Sequence, residues 1–126
     1  MNITADIIAD SISEHGVRLT TFSLTYPRVI HGEVMTHRVF SRNAMSSRAI
    51  PVSKLIAEVW NDPFIPMVWG SNKPGMQAGA EVTGWRLALA KFTWVAASKA
   101  ACVFAWSLSK LGLHKQIGNR IMEPFQ

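Results

Sequence analysis

From Met76 to Gly112 the chain keeps a helical pattern, and Lys91, Lys99 and Lys110 fall within about a 100° wedge at about 3.6 residues per turn. The rest of that circumference is mostly apolar. A helix apolar over so much of its surface is expected to be largely buried, and this constrains the fold more than any other feature. The chain has 126 residues, enough for one domain with a modest core. Cover for the helix is therefore expected from a partner subunit or from residues outside this chain.

The remaining segments predict an α+β class. Residues 3 to 11 and 17 to 26 are rich in Ile, Val, Leu, Thr, Phe and Tyr, and Ser13-Glu14-His15-Gly16 separates them with turn chemistry. They read as an antiparallel β-hairpin. Pro27 ends the second strand, and Val29, Ile30, Val34 and Met35 predict a helix from Val29 to Arg38. Pro51 opens a helix running to Trp60, Asn61-Asp62-Pro63 stops it, and the region from Pro66 to Gly75 reads as loop. Gly112 supplies a C-cap for the long helix, and His114 to Met122 starts another helical turn or two before Glu123-Pro124. Residues 1–126 form a single domain without internal repeats.

Hydrophobic residues at 48% and charged residues at 17% mark a folded chain. The formal charge of +5 attracts polyanions, nucleotides or acidic partners and does not choose among them. Cys102 is the only cysteine, which excludes an intramolecular disulfide and is compatible with a reducing compartment. Its neighbours Ala101 and Val103 make it a small core residue rather than a reactive thiolate. The first residues lack a basic region followed by an apolar one, so a cytoplasmic location is expected. Arg86, Lys91, Lys99 and Lys110 interrupt the apolar stretch from Trp85 to Leu113, and no membrane span is expected.

The segment Thr36 to Arg48 carries the chemistry. It gathers Arg38, Arg42 and Arg48 with His37, Asn43 and several hydroxyls. Guanidinium groups bind phosphate bidentately, Ser and Asn add donors, and turn backbone N–H groups close around anionic oxygens. A helix end would aim His37 and Arg38, while the loop from Ser41 to Arg48 would turn its own N–H groups toward a ligand. Ser41 and Asn43 serve equally well as turn or capping residues, and Arg42 reads as solvated. His31 and Glu33, two residues apart, do not share a helix face, and with no third ligand in view no metal is expected. His15 and His114 are isolated, and Trp85, Trp94 and Trp106 suit a core or subunit interface.

His37-Arg38, Ser41, Asn43, Ser46 and Arg48 stand in an order that resembles the signature of the flavin-dependent thymidylate synthases. In that signature Arg-His-Arg is followed after seven residues by Ser; here Val39 to Met45 separate Arg38 from Ser46. Thr36 replaces the first Arg, and Ala44 replaces the Glu that usually follows the Asn. The order of hydrophobic strand, Pro27, helix, signature and long helix is also similar. So is an arginine four residues before a proline, Arg120 before Pro124.

The resemblance implies reductive methylation of dUMP to dTMP in a homotetramer, with FAD as cofactor and NADPH and methylenetetrahydrofolate as co-substrates. It assigns Thr36, His37 and Arg38 to FAD, and Ser46, Ser47, Arg48 and Arg120 to dUMP. Glu33 stands where the family commonly has a Gln contacting dUMP; its carboxylate either weakens anion binding or accepts from the pyrimidine N3–H. The pyrimidine-activating Arg of the family is expected beyond the end of this chain, which is then incomplete for catalysis by itself. Two other classes stay open: a nucleotide- and flavin-binding relative without catalysis, and a basic nucleic-acid-binding module using Arg38, Arg42 and Arg48.

Overall fold

A computed structural model describes residues 3–126. Strand β1 (Thr4–Ile12) pairs antiparallel with β2 (Arg18–Thr25), with Thr4 opposite Thr25, Asp6 opposite Ser23 and Ile12 opposite Arg18; the ladder is irregular between Ile7 and Ala9. The turn closes through Ser13, whose N–H donates to the Val17 carbonyl at 2.9 Å and whose Oγ accepts from the Val17 N–H at 3.1 Å. Across the strands, Arg18 forms a bidentate ion pair with Asp10, and the Thr20 hydroxyl donates to the same carboxylate at 2.9 Å. Both faces of this two-stranded ribbon are open, and Ile7, Ile8, Ile12, Leu19, Phe22 and Leu24 are exposed.

After Pro27 a 3-10 turn, Arg28–Ile30, leads into α1 (His31–Thr36). The helix is shorter than its apolar spacing predicts. His37 already has extended backbone, φ −67° and ψ 117°, so His37 and Arg38 follow the helix instead of forming its last turn. Gly32 and the β-branched Val34 and Thr36 are weak helix formers, and the Thr36 hydroxyl donates to the Glu33 carbonyl at 2.7 Å. No residue of α1 is buried, so tertiary packing does not extend it.

Helix α2 (Val52–Asn61) starts directly after Pro51, and the Asn61 side chain donates to the Ala57 carbonyl at 2.8 Å in its last turn. Helix α3 (Gly84–Lys110) begins eight residues later than Met76, the start its composition predicts. The intervening chain folds back on itself: Gly70 bridges Glu81, and the Ser71 N–H donates to the Ala80 carbonyl at 2.9 Å. Two glycines permit this close return. A Cβ on Gly70 would sit 2.4 Å from the Ala78 Cβ, and one on Gly79 would sit 2.5 Å from the Ser71 Oγ. Gly112, at φ +80°, ends α3 as its position predicts.

The core lies where α2, α3 and the segment from Lys115 onward meet. Ile50, Leu55, Val59, Ala101, Cys102, Ala105 and Met122 are its buried apolar residues. Small residues on α3 (Ser98, Ala101, Cys102, Ala105) let Leu55 and Val59 of α2 approach closely. Lys99 ties the same pair of helices, donating to the Trp60 carbonyl with its ammonium 4.9 Å from the Trp60 ring centre. The chain then forms α4 (Lys115–Gly118) and a 3-10 segment, Asn119–Phe125, whose Phe125 ring packs edge-on against Trp94 at 5.3 Å.

The α+β class is as the sequence predicts, and within this chain α3 is only partly buried. Its cover comes mainly from α2 and the 115–126 segment, and the remaining surface is open; Trp85 is 74% exposed, Phe92 71% and Phe104 62%. A local sequence shows that a helix is apolar, while its cover depends on what surrounds it. The expectation that lysines rule out a membrane-length apolar stretch is corrected. Between Lys91 and Lys110 only Lys99 interrupts, and α3 is long and apolar enough to cross a membrane by length and composition. One such helix is weak support for a span, because a helix packed in a protein core meets the same criteria.

Candidate functional site

The signature segment ends in a 3-10 turn, Ser47–Ala49, which carries Arg48. Ser46 caps it: its Oγ accepts from the Arg48 backbone N–H at 3.3 Å and from the Arg48 Nε at 3.4 Å. Ser47 turns the other way. It is buried, and its hydroxyl donates to the Glu123 Oε1 at 2.8 Å, so this hydroxyl is engaged in the framework.

The 115–126 segment approaches the turn through three further bonds. The Asn119 Nδ2 donates to the Ser47 carbonyl at 2.8 Å and to the Ile50 carbonyl at 3.0 Å. The Lys115 Nζ donates to the Ala49 carbonyl at 3.4 Å. These contacts bring Arg48 and Arg120 to one solvent-open cleft of about 300 Å³, which Gln116 and Ile117 complete. The Arg120 Nε donates to the Gln116 carbonyl at 3.2 Å, which orients its guanidinium. The lining thus has two cations, one amide, one apolar side chain and no carboxylate. Such a set suits a ligand with a strongly anionic end and an uncharged remainder.

The other sequence-derived candidates lie outside this lining. Thr36 is the exposed last residue of α1, and His37 and Arg38 occupy the exposed chain after it, where the His37 ring meets Phe40 edge-on at 6.1 Å. Val39 and Phe40 beside them are 88% and 62% exposed, leaving an open apolar edge next to Arg38. Glu33 is exposed on α1, and the Arg42 guanidinium donates to the Phe40 carbonyl at 3.2 Å. His31 pairs with Tyr26, its Nδ1 lying 2.8 Å from the phenolic oxygen with the rings stacked. Among the described residues no group of three or more His, Cys, Asp or Glu could hold a metal ion.

Sequence reasoning missed Asn119, Gln116 and Glu123. The one available signal was Asn119 beside Gly118, two weak helix formers where the pattern otherwise reads helical. Cys102 is buried as expected, and burial pushes its thiol pKa up, with nearby Lys99 opposing the shift. The chain was compared with protein-family models, curated proteins and solved structures, and it matches none of them.

Proposed function

We propose that this protein is a nucleotide-binding subunit of the flavin-dependent thymidylate synthase type, acting in the methylation of dUMP to dTMP. The observation that carries the reading is the meeting of Arg48 and Arg120 in one cleft although they lie far apart in the chain. A nucleoside monophosphate presents a dianionic group that two guanidiniums can share, and about 300 Å³ is at the lower end of small-ligand sites. Gln116 offers both a donor and an acceptor for a base or sugar, and Ile117, 49% exposed, offers an apolar surface.

Each group has a defined task in this reading. Arg48 and Arg120 bind and orient the phosphate, and Ser46 holds the Arg48 side chain close to its turn. The residues Thr36, His37 and Arg38 fit FAD as one half of a site: Arg38 supplies positive charge for an anionic reduced flavin, and His37 packs against or hydrogen-bonds its ring. Bound flavin and folate supply the carbon and hydride chemistry, with NADPH as reductant. Because the triplet lies on an open edge, a neighbouring subunit completes that half, in keeping with a homo-oligomer covering the exposed face of α3. The buried free thiol of Cys102 agrees with a cytoplasmic, reducing location.

The openness of that same edge also favours a second reading, a relative that binds dUMP and has lost catalysis. One experiment separates the two. Purified protein is titrated with FAD and then dUMP while the flavin absorbance is followed. The synthase reading expects bound flavin and a spectral change on adding dUMP. Binding of dUMP by a colourless protein that ignores FAD selects a non-catalytic relative that has lost flavin as well, and indifference to both ligands rejects the nucleotide reading altogether.

A further inference from the structure

We infer that Asn119 is a positioning residue that sets the separation of Arg48 from Arg120, and so determines the affinity of the cleft for a phosphate dianion. This inference rests on the proposed assignment of the cleft to a phosphorylated ligand. Asn119 directly precedes Arg120 in the chain, and its side-chain amide holds the two carbonyls that flank the Arg48-Ala49 dipeptide, those of Ser47 and Ile50. One side chain is thereby fixed to both arginine-bearing segments.

The amide orientation is determined by its partners. Two carbonyl oxygens at 2.8 and 3.0 Å demand a donor, so the nitrogen faces them; a flipped amide would set oxygen against oxygen. Asn119 is fully buried, and its Oδ1 finds no hydrogen-bond partner among the described residues. An unpaired buried acceptor is costly, and merely filling a buried position would be done better by an apolar side chain. What an apolar residue cannot do is grip the Ser47–Ala49 turn. A second clasp acts from the other direction, where the Ser47 hydroxyl donates to Glu123 Oε1 at 2.8 Å. The turn's own bonds are few, Ala49 N–H to the Ser46 carbonyl at 2.9 Å and Ile50 N–H to the Ser47 carbonyl at 3.3 Å, so its position depends on these outside contacts.

The test compares the unmodified protein with Asn119→Ala, Arg48→Ala and the double variant. Affinity for inorganic pyrophosphate and for dUMP is measured by titration calorimetry, and backbone exchange at Ala49 and Ile50 by hydrogen–deuterium exchange. Asn119→Ala is expected to speed exchange at both amides and to weaken pyrophosphate binding by roughly tenfold, since small misplacements of a binding group are expensive. The double variant is expected to bind no more weakly than Arg48→Ala, because the clasp acts through Arg48. Full additivity of the two losses, or unchanged affinity in Asn119→Ala, overturns the inference. If Asn119→Ala does not fold, Ser47→Ala loosens the same turn by removing its bond to Glu123. It should weaken pyrophosphate binding by roughly threefold, and wild-type exchange and affinity in that variant also overturn the inference. Binding of pyrophosphate without dUMP refutes the nucleotide reading and leaves the clasp standing. Tight dUMP binding that ignores Asn119→Ala does the reverse, and binding of neither ligand by the unmodified protein rejects both.

Discussion

Removing either arginine of the cleft should cost phosphate affinity by an amount that can be worked from its surroundings. A phosphate monoester carries about −1.5 to −2 charges near neutral pH. At about 4 Å and an effective dielectric constant near 20, one cation gains about 4 kcal/mol per unit of opposite charge. Both side chains are exposed, so solvent and salt screen much of this. Each arginine must also loosen a bond already made, Arg48 to Ser46 Oγ at 3.4 Å and Arg120 to the Gln116 carbonyl at 3.2 Å. Charged hydrogen bonds are worth about 1.5–3 kcal/mol net, and the competing neutral bonds about 0.5–1.5. About 1–2 kcal/mol therefore remains for each guanidinium, or roughly fivefold to thirtyfold in affinity.

The assay is calorimetric titration of dUMP into the unmodified protein, Arg48→Ala, Arg120→Ala and the double variant, with 2′-deoxyuridine as the uncharged control. Under the proposed function the two arginines share one phosphate, so their losses should be non-additive by at least about 0.5 kcal/mol. Deoxyuridine binding should not change, and the dependence of dUMP affinity on salt should flatten with each substitution. Equal losses for dUMP and deoxyuridine would show that the arginines do not contact phosphate. Strict additivity would show that the two side chains do not share one anion.

Leu55 is fully buried between α2 and α3 and faces small residues that cannot expand into a gap, so Leu55→Ala should destabilise the fold by about 3–5 kcal/mol in urea unfolding; a loss below about 1 kcal/mol would place the core elsewhere. Cys102 should resist dithionitrobenzoate in the native protein near pH 8 and react at once in denaturant, because burial raises its thiol pKa; equal rates would contradict its burial. The Arg18 ion pair, aided by the Thr20 hydroxyl, holds the Asp10 carboxyl below its ordinary value of 3.8. A lowered folded-state pKa means that the pair supports the hairpin above the unfolded value and ceases to as pH falls through the folded one. Strand amide shifts should therefore move in acid below pH 3.8, and Asp10→Asn should abolish that transition.

Legibility differed with the range of the interactions involved. The hairpin was readable because its signals are local, β-branched runs around a Ser-Glu-His-Gly turn, and the observed strands differ from the expected ones by one residue at each end. Pro51 and Gly112 marked helix ends for equally local reasons. The start of α3 was misread because Ala78, Ala80 and Glu81 resemble helix, while the fold-back at Gly70 and Gly79 depends on contacts across the loop. Arg48 and Arg120 stood out through the resemblance to a family signature, so both cations of the cleft were visible. The buried clasp of Asn119 was not, since an asparagine reveals its partners only after the Ser47–Ala49 turn has docked beside it.

The two halves of the proposed site differ in what holds them. The phosphate half is tied to the 115–126 segment, which is itself anchored through the Arg28 N–H to the Gln126 carbonyl at 2.8 Å and the Phe64 N–H to the Phe125 carbonyl at 2.8 Å, and by Met122 in the core. The flavin half, Thr36 to Arg38, begins at the last residue of a six-residue helix with no buried residue and runs into an exposed loop. A cleft built into the core survives separation of subunits, whereas an open edge needs a second surface to close it. Under the proposed function, diluting the assembled protein should release flavin before it weakens dUMP binding. Gel filtration at falling concentration, with flavin absorbance and dUMP affinity measured on each fraction, tests that order. Simultaneous loss of both ligands would mean that Arg48 and Arg120 also depend on a partner subunit, and retention of flavin by a lone subunit would mean that the Thr36–Arg38 edge closes within one chain.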